Sequence, residues 1–557
     1  MLNIDSLDDD VWLLIIEYIS PFPSLHRLPG DIASLAGVSR HLRHLCLSVA
    51  FKKVSWKWFN PCLRIRTFPP PSLGRYIRYD TPNVLGTLIA SVSRELEFVI
   101  VQMRPMTPAG PGSVLLQLHH LKDHMELISE MVNTAAPSLY ALHTVQIMFE
   151  DLNYPSKELL MGPWRTLLEA IFLLPALESL ELEAPWFAED KVFPSLTLRY
   201  NNLRRFVYRA PFSWSREAIC TPEYGKRSAE QIAVETYNLR LLLDANRDSL
   251  EVLELPGELA DGVLDSPFPS LKELSLFGHG PNCHTWVSAL PTQSHLRKLH
   301  IEIVSSYSPP PIPIASHLTF SQLTKMRSLT VSNPCPNDLL FKMLPLNLEH
   351  LSLIPYPDPF MIGWIPESEI PIKIVPCSAM NAILTAGSFG DLTSLNVAYH
   401  WESDRADISL LNLIAQTSPY LEFLELNRYG RKDSPFDIVV CFFPLLRKRL
   451  CLYSKQTSLE TSLPHLKYLS HLRLNLEKSE GKREVLFQTR VQKNMSTTMK
   501  EAIEQLSLSI PSLRYISYLD LIFPSILSLP VWMWHKWAIS RGDGNVELEC
   551  SMDDVCY

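Results

Sequence analysis

The chain has 557 residues, of which 46 % are hydrophobic, and a formal net charge of −8. This apolar content is ordinary for folded proteins and excludes bulk disorder. The length exceeds one compact globule, so the chain is either several domains or one long repeat array. The mildly acidic balance excludes a basic stripe or polybasic patch, so we expect neither nucleic acid nor a membrane among the partners.

The cysteines and the N-terminus indicate where the protein works. Ten cysteines are scattered without any Cys-x-x-Cys pair, which favours reduced thiols over a disulfide framework or a zinc site. The acidic residues Asp5 and Asp8 to Asp10 do not fit the positive start of a signal peptide. No apolar run approaches the roughly 18 residues of a membrane-spanning helix. We therefore expect a cytoplasmic or nuclear protein.

Residues 1–54 read as a small helical module. Ser6 can cap a helix, and Asp8 to Asp10 complement the positive end of that helix. Apolar residues at helical spacing follow as far as Ile19, and a second helical stretch begins near Asp31. A module this small has little core of its own, so we expect its remaining apolar surface to meet a partner.

This module resembles an F-box. Leu7-Asp-Asp-Asp-Val-Trp-Leu-Leu-Ile-Ile-Glu-Tyr-Ile19 is similar to the opening helix of that family, and Asp31-Ile-Ala-Ser-Leu-Ala-Gly-Val-Ser-Arg-His-Leu-Arg-His-Leu45 is similar to its second half. Asp8 stands where the family usually has proline, and the link between the two halves is longer than usual. The resemblance implies docking onto the adaptor subunit of an SCF-type cullin–RING ubiquitin ligase. The adaptor-binding residues that it implies are Leu7, Val11, Ile15, Ile16, Ile19, Leu35, Val38 and Leu42.

After this module one short pattern recurs along the chain. It consists of an apolar residue, any two residues, a second apolar residue, any one residue and a third apolar residue, and we call it the repeated phrase. Each copy is predicted to form a short strand, with its apolar members inward and the intervening residues outward. A repeated unit predicts a stacked, quasi-one-dimensional fold, and a strand around Trp56 and Trp58 should join the module to it. The copies are Leu96/Val99/Val101, Leu142/Val145/Ile147, Leu177/Leu180/Leu182, Leu203/Phe206/Tyr208, Leu250/Leu253/Leu255, Leu271/Leu274/Leu276, Leu296/Leu299/Ile301, Met326/Leu329/Val331, Leu348/Leu351/Leu353, Leu392/Leu395/Val397, Leu421/Leu424/Leu426, Leu469/Leu472/Leu474 and Ile516/Leu519/Leu521.

The segments between the copies are irregular. Successive copies begin 21 to 48 residues apart, and helices are predicted over Ile232 to Asn246 and over Asp407 to Thr417. Leucine-rich repeats usually place asparagine or cysteine three residues after the phrase, where the side chain ties the turn. That asparagine ladder is missing, so we expect an irregular array. The residues found there instead are Pro185, Pro211, Glu258, His279, Tyr356 and His400.

The outward residues of the strands are the candidate binding surface. They carry no single sign of charge, which fits recognition of a protein better than of a polyanion. The five middle copies are the most regular, so they are predicted to hold a protein substrate. The predicted substrate-binding residues are Glu254, Glu273, Ser275, Lys298, His300, Thr330 and Ser352.

Other candidates favour structural roles. His120 and His124 share a helical face, but no glutamate follows His120 as in a metalloprotease motif, so a surface helix is the preferred interpretation. A lid over the last repeat is predicted from Trp532, Trp534 and Trp537. No Ser/His/Asp, Cys/His or paired-carboxylate arrangement is recognisable, so we expect no enzyme, no cofactor and no metal.

These observations predict an α/β chain in three parts. Residues 1–54 form an F-box-like helical module, residues 55–540 an irregular leucine-rich-repeat-like solenoid, and residues 541–557 an acidic C-terminal tail. The whole chain particularly resembles F-box proteins of mushroom-forming fungi. The resemblance implies a substrate-receptor subunit of an SCF-type ubiquitin ligase, whose partners are the adaptor and an unknown protein substrate. The alternatives are a leucine-rich-repeat interaction scaffold with no ligase connection, and an α/β enzyme, which would need glycine-rich strand–helix turns that are not seen.

Overall fold

The computed structural model divides the chain into two compact units, Met1–Pro211 with Ala229–Leu253, and Phe212–Ser228 with Glu254–Tyr557. It describes the following residues: 42, 53–59, 95–101, 143–150, 168–183 except 170, 173 and 175, 202–209, 227–280, 290, 293–304, 323–356 except 337, 374–429 except 388, 459, 462–476, 500, 503–522, 531–542 and 545–556.

The first unit carries a parallel sheet whose strands follow chain order. A long helix, α1 (Ala229–Ala245), comes after the last of these strands. Strand β6 (Val252–Pro256) lies across the boundary between the two units. The strands of the first unit are β1 (Lys53–Phe59), β2 (Glu95–Val101), β3 (Thr144–Glu150), β4 (Ser179–Glu183) and β5 (Arg205–Arg209).

The second unit continues the same plan with eight parallel strands and a final antiparallel hairpin. Its helices with fully described bounds are α2 (Ala260–Val263), α3 (Cys377–Ala386) and α4 (Asp404–Thr417), with short 3-10 turns at Gly257–Leu259, Leu339–Met343 and Leu463–His465. Its strands are β7 (Glu273–His279), β8 (Lys298–Val304), β9 (Ser328–Ser332), β10 (His350–Ile354), β11 (Ser394–His400), β12 (Phe423–Tyr429), β13 (His471–Leu476), β14 (Tyr515–Ile522), β15 (Val531–Gly542) and β16 (Asn545–Cys556).

The repeated phrase sets the register of these strands. In the copies on β7, β8 and β9, the middle apolar residue pairs with its counterpart in the next copy, as Leu274 does with Leu299 and Leu299 with Leu329. These residues are almost completely buried, and so are the first residues of the copies, such as Leu271. Full burial of one leucine side chain contributes about 1.5–3 kcal/mol, so a stacked ladder of them is the main cohesive element of each unit.

Two copies of the phrase are placed wrongly by the sequence pattern. Ile516 pairs with Leu472, which makes it the middle residue of its copy, and the first residue is the buried Leu513. The assignment Ile516/Leu519/Leu521 was therefore three residues late. Leu96 likewise pairs with Val145, so it is also a middle residue rather than a first one. The sequence pattern did not identify this copy correctly, because the first position of the copy holds a polar residue, Ser93, instead of an apolar one.

The C-terminal segment also differs from its prediction. Residues 545–556 form β16, which pairs with β15 in an antiparallel hairpin instead of standing apart as an acidic tail. The reason is a period-two pattern, because Val546 and Leu548 are half-buried while the intervening Glu547 and Glu549 are exposed. Glu547 and Glu549 therefore lie on the solvent side of a strand.

The class of the fold agrees with its prediction at a coarse level. The described residues hold both helices and parallel strands, and the sheet that they form does not close into a barrel. The helices expected over 232–246 and 407–417 are present as α1 and α4. In the described part of the chain, no helix is both long and apolar enough to cross a membrane.

Candidate interaction surface

The outward residues of the middle strands form a continuous row. Ser275 pairs with His300, His300 with Thr330, and Thr330 with Ser352, so four predicted substrate-binding residues are neighbours on β7 to β10. All four side chains are partly exposed, and so is Glu254 on β6. The parallel register therefore brings these predicted residues together in the second unit, as the repeat pattern requires.

The charges of this middle region are mostly neutralised by one another. Glu273 and Lys298 are paired across β7 and β8, with 3.7 Å between Lys298 Nζ and Glu273 Oε2. His300 Nε2 lies 2.8 Å from Glu302 Oε1 on the same strand. Partly exposed pairs of this kind stabilise the fold little, and they leave little net charge for a ligand.

A different surface lies on the last strands, and sequence reasoning missed it. Phe423, His471 and Tyr515 occupy the same position in β12, β13 and β14 and are register partners. The ring centroids of Phe423 and His471 are 6.4 Å apart, and the rings of His471 and Tyr515 stack at 4.7 Å. We call these three residues the aromatic row. Aligning the copies could have revealed the row, but the late assignment of the last copy hid Tyr515.

Two cations flank the aromatic row. The Arg473 guanidinium lies 5.8 Å from the Phe423 ring centroid and 5.1 Å from that of Trp534. Lys536 Nζ lies 4.7 Å from the ring centroid of Tyr515. Such cation–π contacts orient the side chains without cancelling their charge. Arg473 is also ion-paired, because Glu425 Oε2 lies 3.6 Å from Arg473 Nη1.

The titration of His471 reports the electrostatics of this surface. Its pKa is lowered from 6.5, first because burial disfavours the charged ring and then because Lys536, Arg514 and Arg473 repel a further positive charge. Glu422 acts in the opposite direction. The ring is therefore mainly neutral at pH 7.

Exposed aromatic side chains extend this surface at its edge. Tyr420 and Tyr468 stand three residues before Phe423 and His471, and their ring centroids are 5.6 Å apart. Their exposures are 53 % and 54 %, which is high for large apolar rings. Clusters of exposed aromatic residues are typical of binding surfaces.

A buried polar cluster on the other side of the sheet has a structural role. Asp407 of α4 accepts hydrogen bonds from Tyr399 Oη at 2.5 Å and from Arg428 Nη1 at 3.1 Å. Burial, followed by the charge of Asp407, raises the pKa of the adjacent Cys377 thiol to about 12. The thiol is therefore protonated at neutral pH and is a poor nucleophile. The cluster ties α4 to two strands and offers no reactive group.

Most of the predicted adaptor-binding residues lie outside the described part of the chain. The exception is Leu42, which is helical and only 1 % exposed. The other seven are Leu7, Val11, Ile15, Ile16, Ile19, Leu35 and Val38.

The candidates for metal binding and for a lid have separate outcomes. His120 and His124 lie outside the described residues, and within those residues no group of three His, Cys, Asp or Glu side chains could hold a metal ion. Three tryptophans were predicted to form a lid over the last repeat. One of them, Trp534, is buried on β15, which pairs with the last parallel strand. This arrangement agrees with a covering role for Trp534.

Comparison with known proteins adds no family assignment. No protein-family model matches the chain, and no curated protein matches its sequence.

Proposed function

We propose that this chain is the substrate-receptor subunit of an SCF-type cullin–RING ubiquitin ligase. The F-box-like module of residues 1–54 docks onto the adaptor, and the strands that follow form a leucine-rich-repeat-like solenoid that holds a protein substrate. The chain performs no chemistry itself. It acts by raising the effective concentration of the substrate near the transferring enzyme.

The observation that carries this proposal is the in-register stacking of the repeated phrase. Strands β7 to β10 run parallel in chain order, bury their apolar residues and present the intervening ones, which is what a repeat receptor needs. An F-box-like sequence precedes these strands, in the order that the resemblance implies. An outward face of mixed charge and aromatic rings supports a protein partner.

Recovery of the adaptor tests this proposal. Changing Ile15 and Val38 together to aspartate places two charges against an apolar partner, which costs several kcal/mol of binding free energy. We expect the double variant to lose the adaptor and the cullin in affinity purification followed by mass spectrometry, while the wild-type chain retains both.

The matched control exchanges the charges of one exposed pair, as Glu273→Lys with Lys298→Glu. It keeps the pair and should leave adaptor recovery and stability unchanged. If the wild-type chain recovers neither adaptor nor cullin, the ligase role fails and an interaction scaffold without a ligase connection becomes the better proposal.

A further inference from the structure

We propose that the outer edge of β16 binds an extended basic segment of a protein partner, which joins the sheet as one more strand. β16 is the last strand of the sheet, and in the described part of the chain no strand pairs with the edge that faces away from β15. The main chain of such an edge offers a row of amide donors and carbonyl acceptors. The site lies apart from the predicted substrate-binding residues of the middle strands and does not depend on the ligase role.

The edge is long and regular enough to hold a peptide by its main chain. β16 spans 12 residues, and its pairing with β15 is regular from Asn545 to Asp553. At about 3.4 Å per residue this regular stretch is roughly 30 Å long. Because β15 already holds β16 as a strand, only the partner segment is ordered on binding, which favours affinity.

The charges of β16 select the occupant of its edge. Glu547 and Glu549 are exposed, and neither carboxylate has an ion-pair partner among the residues that the structure describes. The other charged residues of the strand are Asp553 and Asp554, so β16 contains no lysine or arginine. A second copy on this edge would set one acidic strand against another, which is destabilising, whereas a basic strand forms pairs of opposite charge.

The same charges exclude a nucleic acid, which carries a phosphate at every nucleotide and would be repelled by an acidic strand. They also protect the edge from pairing with other copies of the chain, as charged edge strands do. The acids of β16 therefore exclude two of the possible occupants and favour the third, a basic segment of another protein.

The alternation along β16 defines the sequence of this segment. Val546 and Leu548 are half-buried on one face of the strand, whereas Glu547 and Glu549 lie on the other. The side chains of an added strand lie about 4.5–5.5 Å from those directly opposite on the same face. Two cations two residues apart therefore meet the two glutamates, and an apolar residue between them packs beside Leu548. The expected motif is basic, apolar, basic.

Fluorescence anisotropy with the purified full chain tests this inference. The probe is a fluorescein-labelled octapeptide of alternating lysine and valine, and the control probe carries glutamate in place of every lysine. We expect the wild-type chain to bind the lysine probe only. Glu547→Lys with Glu549→Lys should weaken that binding roughly tenfold and create binding of the glutamate probe, because pairs of opposite charge become pairs of like charge. A reversed preference cannot arise from a loss of folding.

The matched control is Glu422→Lys with Glu504→Lys, which changes the net charge equally at exposed positions away from β16. It should leave the binding of both probes unchanged. Two further lysine probes test the main-chain pairing, one N-methylated at every valine and the other at every lysine. Methylation removes amide donors without changing charge, and only one set of amides faces β16. We therefore expect one methylated probe to bind like the parent and the other to lose binding.

Three results would overturn the inference. They are wild-type affinity for the lysine probe after Glu547→Lys with Glu549→Lys, an equal loss in the control variant, and unchanged binding of both methylated probes. A concentration-dependent dimer of the wild-type chain in light scattering, abolished by Glu547→Lys with Glu549→Lys, would show that a second copy occupies the edge instead. The assay needs no adaptor, so its outcome is independent of the test of the ligase role.

Discussion

At the scale of single residues, Asn333 replaces the asparagine ladder that the sequence lacks. It follows β9 with a φ of 48°, in the left-handed region that asparagine tolerates. Its side-chain amide donates to the carbonyls of Ile303 and Tyr356, at 3.2 and 2.8 Å, and its Oδ1 accepts from the Tyr356 amide at 3.1 Å. One side chain thus joins three successive repeats from a position one residue earlier than in the usual leucine-rich pattern.

Replacing Asn333 should destabilise the second unit by two separable amounts. Asn333→Gly keeps the backbone conformation but leaves buried groups without partners, at a cost of about 1–3 kcal/mol. Asn333→Ala should cost about 1 kcal/mol more, because alanine is strained in the left-handed region. Urea unfolding measures both values. Asn347→Ala, which removes one exposed bond to Thr324, is the control, and an equal loss in Asn333→Ala and Asn347→Ala would contradict this role.

At the scale of elements, α4 shows how local signals and packing act together. Ser403 caps its start, since the hydroxyl accepts a hydrogen bond from the Ala406 amide at 3.2 Å. Leu410, Leu411 and Ile414 then form its buried face. The acidic residue Asp407 lies in the first turn of this helix, where its charge complements the positive helix end. It also forms an ion pair with Arg428.

Loss of the cap should weaken α4 measurably. Ser403→Ala removes the partner of the Ala406 amide and should lower the free energy of unfolding by about 1 kcal/mol. Ser409→Ala, an exposed change in the middle of the same helix, should be neutral or slightly stabilising because alanine has the higher helix propensity. Thermal unfolding followed by circular dichroism compares the two variants. Equal effects of both changes would show that the cap contributes nothing.

At the scale of the whole molecule, the β15–β16 hairpin covers the last parallel strand. β14 would otherwise present a row of unpaired backbone groups at the sheet edge, which is a template for aggregation. Arg541 fastens the hairpin, because its guanidinium donates to the carbonyls of Leu513, Ser507 and Ile510, at 2.5, 2.9 and 3.1 Å.

Removing residues 523–557 should therefore make the chain self-associate. We expect large species in size-exclusion chromatography with light scattering, because the freed edge of β14 pairs with other copies. Arg541→Met is the control: it keeps both strands and loses only the fastening, so it should lower stability without causing association. A monodisperse truncated chain would show that the hairpin is not needed to protect the edge.

The sequence by itself determined most of the parallel strands and two of the helices of the described chain. The repeated phrase identified the strands, because burying alternate apolar residues requires that period whatever their neighbours are. The stretches later seen as α1 and α4 were also recognisable from their own residues. The role of Asn333, which stands one residue before the usual asparagine position, and the strand β16 were not predicted, because the repeat pattern did not require either of them.

Only the tertiary structure decided which residues meet across strands. Ile516/Leu519/Leu521 satisfies the phrase as well as Leu513/Ile516/Tyr518 does, and only pairing with β13 selects the second. The pairing of Glu273 with Lys298, and the stacking of His471 on Tyr515, likewise depend on the register between strands. These partners are separated by 25 and 44 residues of sequence. No local pattern encodes such contacts, because they form only when complete repeats pack against one another.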